Sequence, residues 1–86
     1  MNTPNLDESR AVTVAVAPNE IVARMWQELL RDEGIIAALK PAGPGLSFAS
    51  TALIEHYVLV LSEHAQLARS LIDEFEADDS EESSEA

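Results

Sequence analysis

The chain contains no cysteine in its 86 residues. That excludes a disulfide framework, a thiolate zinc site and a cysteine nucleophile. Basic residues are scarce: five Lys and Arg stand against 16 Asp and Glu, for a net charge of -11 and a sequence pI near 4.2. A direct nucleic-acid binder needs a basic footprint to neutralise phosphates, so that class is set aside. An anionic membrane surface is set aside on the same ground. No apolar run nears the ~20 residues that span a bilayer. The first third offers nothing longer than Val14 to Pro18. It shows no basic segment followed by an apolar one and a small-residue cleavage site, so the expectation is a cytoplasmic protein. No repeat with a period of ~20–50 residues suggests a solenoid.

What remains reads as one small globular domain. At about 150 residues per domain the length allows one, and a chain this short buries only about 60% of its unfolded surface. The apolar share is 47%, above what a disordered chain shows. The charge is uneven. Residues 77–86 hold Asp78, Asp79, Glu81, Glu82 and Glu85 and no base, so they are expected to form a disordered acidic tail. Its expected use is solubility, with docking to a basic partner as the other reading. Residues 1–9 read as a flexible lead-in. Between them, residues 10–76 carry nine acids and five bases, an ordinary balance for a soluble domain.

Within 10–76 the pattern alternates between strand and helix. Val12, Val14 and Val16 alternate with Thr13 and Ala15, the period of a half-buried strand over 11–16. Pro18 and Glu20 suit the first turn of a helix. Ile21, Val22, Met25, Trp26, Leu29 and Leu30 recur at helical spacing, and Gly34 stops the helix near Glu33. Residues 35–40 read as a second strand. Pro41, Gly43, Pro44 and Gly45 break the chain. Residues 46–55 fit a strand, a short helix or an irregular cover. Tyr57 to Leu61 is apolar on both faces, as a central strand covered on both sides would be. Ser62 is expected to cap a last helix running to about Glu76.

The order strand, helix, strand, strand, helix favours an α+β fold. The expected plan is a ferredoxin-like split β-α-β with a sheet of three to four strands and two helices on one face. The strand at 57–61 slots between the other two.

Pro18-Asn19-Glu20 opening an amphipathic helix, the Leu29-Leu30 pair, Glu33-Gly34-Ile35 at the helix end, and Val58-Leu59-Val60 leading into Ala65 to Ile72 resemble a small bacterial family of prokaryotic signal-transducing proteins. The resemblance covers residues 10–76. Ser62 stands where that family often has proline, and the loop lacks the family's usual polar residues. The resemblance implies a ferredoxin-like fold related to the trimeric PII nitrogen regulators. It implies no reaction.

Candidate chemistry is sparse. His56 and His64 follow Glu55 and Glu63 and flank the third strand. Eight residues of strand would hold them ~20 Å or more apart, so they read as surface histidines rather than one metal site. Gly43-Pro44-Gly45-Leu46-Ser47 lacks the Gly-Lys-Ser/Thr ending of a phosphate loop, and its prolines remove backbone donors. It reads as a connector, although PII relatives use the corresponding connection for partner binding. No nucleophile signature supports a triad. Met25 and Trp26 read as core.

The expected interaction surface is the open sheet face, lined by Thr13, Ala15, Val58 and Val60, together with the free edge of the strand carrying Val12 and Val14. A thin core with such a surface favours a homo-oligomer or a protein partner. The preferred reading is a non-enzymatic regulatory or protein-interaction domain with no cofactor. The rival is a PII-like or amino-acid-binding sensor, with an unidentified small ligand at a subunit interface near the Pro/Gly loop.

Overall fold

The computed structural model describes residues 10–43 and 51–85. The lead-in 1–9 and most of the Pro/Gly loop, 44–50, lie outside the described residues. The elements run β1 (Ala11–Ala17), α1 (Glu20–Asp32), β2 (Ala38–Pro41), β3 (His56–Leu61) and α2 (Ala65–Glu85). The class is α+β. The described strands form one sheet in the order β1-β3-β2, with β3 antiparallel to both neighbours. The third strand is central, as its double-faced apolar run suggested, but the described elements cover only one of its faces.

Both helices pack on one face of the sheet. Trp26 and Leu30 of α1, Ala68 and Ile72 of α2, and Val58 and Val60 of β3 are buried in one cluster. The core is thin because one helix layer covers one side of three strands.

α1 begins and ends for identifiable reasons. Asn19 is its N-cap, with extended backbone, and its side-chain oxygen accepts from the Val22 amide at 2.9 Å. Pro18 therefore precedes the cap rather than lying in the first turn. At the other end Gly34 has φ 85°, a region that L side chains avoid. The Ile35 amide donates to the Leu30 carbonyl and the Gly34 amide to that of Arg31, each at 2.9 Å. This 6→1 and 5→2 pair is the Schellman motif, and Leu30 and Ile35 are both buried beside it.

Several expectations shift. Residues 35–37 are not strand; Ile35 and Ala37 are buried on the way into the shorter β2. Ser62 does not cap α2 but opens a 3-10 turn, Ser62–His64, that leads into it. Within 46–55, Thr51–Leu53 forms a 3-10 turn. The last helix does not stop near Glu76; its backbone continues to Glu85. Propagating a helix costs far less than starting one, which offsets the weak helix propensity of the Asp and Ser residues in this segment. The expected break at the acidic segment is overrun for that reason.

Candidate functional site

The sheet face away from the helices is left uncovered by the described elements. Its composition follows from register, because residues directly opposite on antiparallel strands share a face. Val12 pairs with Val60, Ala15 with Val58 and Ala17 with His56. Val58, Val60, Ala17 and His56 are buried, so these pairs point to the helices. Thr13 pairs with Leu59 and Val16 with Tyr57, and these point away. Across β2, Ala38 opposes Leu59 and Lys40 opposes Tyr57 on the same open face. Val16 is 46% and Tyr57 37% exposed.

A bulge produces this arrangement. Register shifts between Thr13 and Ala15, which leaves Val14 without a direct partner. One extra residue reverses the alternation beyond it. Ala15 and Ala17 turn inward and Val16 turns outward. Strict alternation would have kept Val16 with Val12.

This corrects most of the expected surface. Val58 and Val60 are core residues, fully buried under the helices. Val12, Val14 and Ala15 are half-buried and packed against that core. Of the six residues, Thr13 alone lies exposed on the open face. The face belongs instead to Val16, Tyr57, Leu59 and Leu61, which the sequence reading missed. The Tyr57–Leu61 run contained the signal, since its odd and even members must face opposite ways.

Both sheet edges are blunted. β2 has four residues, among them Lys40 and Pro41, and short edges carrying Lys or Pro resist pairing. β1 carries the bulge, and Nη2 of Arg69 on α2 reaches to 3.5 Å from the Thr13 carbonyl. The free edge is thus a poorer docking surface than the face. No acid occurs in β1, β2 or β3, although the chain has 16.

The histidines lie at opposite ends of β3. His56 is buried, not a surface residue, and its Nδ1 donates to the Ile54 carbonyl at 2.9 Å. His64 lies in the turn after β3, 3.6 Å from the Glu63 carboxylate. Among the described residues no three His, Asp or Glu side chains gather as metal ligands would. Trp26 is core as expected, but Met25 is 47% exposed on the flank of α1.

An open groove of about 480 Å³ runs beside α1, lined by Arg24, Gln27, Glu28, Arg31, Ile36 and Ala37. Two of its polar groups are already engaged. Arg24 donates to the Glu20 carboxylate at 2.7 and 2.9 Å, and Gln27 donates to the Ala37 carbonyl at 2.9 Å. The volume falls within the range of small-molecule sites. No described helix is long and apolar enough to cross a membrane.

Comparison with protein-family models, curated proteins and solved structures finds no match. The resemblance to the signal-transducing family therefore rests on the quoted residues alone.

Proposed function

We propose that the chain is a non-enzymatic regulatory or protein-interaction domain of the cytoplasm that self-associates through its open sheet face. The observation that carries the reading is the outward pair Val16–Tyr57, extended by Leu59, on a face that no described element covers. Charge supports a second copy as the occupant. Each copy carries -11, and the sheet is free of acid, so face-to-face approach places the acids of the two copies furthest apart.

Area sets the strength. Three strands spaced ~4.8 Å and about six residues long present roughly 14 by 20 Å. That is well below the ~800 Å² per partner of a stable complex. The association is accordingly weak and visible at high protein concentration. Size-exclusion chromatography with light scattering tests it. A mass that rises with loading supports the reading; a strictly monomeric protein at high concentration contradicts it.

A second reading is a small-ligand sensor, favoured by the Arg24–Arg31 groove. Thermal-shift screening against nucleotides and amino acids separates the two, because a ligand that binds only the folded state raises the melting temperature. Stabilisation by one compound class supports the sensor.

A further inference from the structure

The helix layer carries a second apolar surface, and two contacts show how the helices are turned. Gln27 of α1 donates to the Ala37 carbonyl, just before β2, so that flank of α1 faces β2. Arg69 of α2 reaches Thr13, so that flank of α2 faces the outer edge of β1. At about 100° per residue, Val22, Met25 and Leu29 fall on the opposite flank of α1. By the same count Leu67, Leu71 and Phe75 fall on the opposite flank of α2. These two flanks face each other. The helices follow antiparallel strands and are themselves antiparallel, so the end of α1 that carries Leu29 lies toward the start of α2 and Leu67, and the end that carries Val22 lies toward Phe75.

The seam is only partly closed. Val22, Leu29 and Leu71 are half-buried against the core. Met25 is 47%, Leu67 51% and Phe75 37% exposed. Its borders are acidic: Asp32 and Glu74 lie beside it, while Arg24, Arg31 and Arg69 lie on the outer flanks. From Leu67 to Phe75 the seam is ~12 Å long, two turns of a docked helix.

We propose that this seam docks an amphipathic helix of a basic protein partner, with apolar residues at i, i+3 or i+4 and i+7 flanked by Lys or Arg. An apolar trough with acidic borders matches that partner in shape and in charge. A second copy of this chain matches poorly, because it brings its own charge of -11. The surface is distinct from the open sheet face and does not depend on it.

The test titrates three synthetic helical peptides into the full chain, read by fluorescence anisotropy and NMR shift mapping. One has a Leu stripe with Lys flanks, one a Leu stripe with Glu flanks, and one a Ser stripe with Lys flanks. The first is expected to bind, with shifts at Met25, Leu67 and Phe75. Met25→Glu and Leu67→Glu, at exposed sites, are each expected to weaken it about tenfold, and Val16→Glu to leave it unchanged. The proposal is overturned by no binding, by equal binding of the Ser-stripe or Glu-flanked peptide, or by shifts confined to the sheet face. It is also overturned if Met25→Glu leaves binding intact, or abolishes self-association and so makes the seam a contact between copies.

Discussion

Val16 on β1 stands opposite Tyr57 on β3 with both side chains exposed, while the adjacent pair, Ala17 and His56, is buried in the core. Two consecutive rungs of one ladder thus separate the face that holds the fold together from the face left free to associate.

Val16→Glu should be nearly silent for stability and decisive for association. An exposed change away from the core usually costs within about 0.5 kcal/mol. A like charge facing its copy across the interface should remove the concentration-dependent rise in mass. Denaturant midpoint and light scattering on the same variant check both halves.

Gly34→Ala should cost about 1–2 kcal/mol, because Cβ is disfavoured at φ 85°. Nothing lies within 4 Å of the added methyl, so the loss reflects backbone conformation alone. Urea unfolding should show a lower midpoint with an unchanged slope.

Trp26→Ala and Met25→Ala separate core from flank. The buried tryptophan should cost about 3–5 kcal/mol, most of the total that a domain this small can have (about 5 kcal/mol). The half-exposed methionine should cost under about 1 kcal/mol. Thermal unfolding of the pair reads the difference.

The end of α2 should respond to salt. Like charges close along a helix, and acids at its negative end, weaken it, and the last nine residues of α2 include five acids and no base. Raising ionic strength from ~0.01 M to ~1 M shortens the screening length from about 30 to 3 Å. Helical circular dichroism should therefore increase with salt in the full chain and stay level in a variant with these acids changed to Asn and Gln.

Much of the fold was legible in the sequence because it is written in local patterns. The apolar run of β3 signalled a central strand and Gly34 marked the end of α1, whereas the start of α1 was read at Pro18 although Asn19 is the cap. The candidate site was harder to read. Whether Val58 and Val60 face helices or solvent depends on where the helices land, which no local pattern states. The bulge at Val14 reversed the outer half of β1, and Val12-Thr13-Val14-Ala15-Val16 alternates just as well without one. Met25 and Phe75 continue helical apolar stripes past the point where the small core runs out. Spacing alone could not mark that limit.

The most direct test of the central claim is an NMR dilution series of the full chain from millimolar to micromolar concentration. Shifts that move with concentration at Thr13, Val16, Tyr57 and Leu59, and stay fixed for the buried Val58 and Val60, are the predicted result. Shifts independent of concentration, or changes confined to the β1 edge or the helix layer, would contradict assembly through the open face.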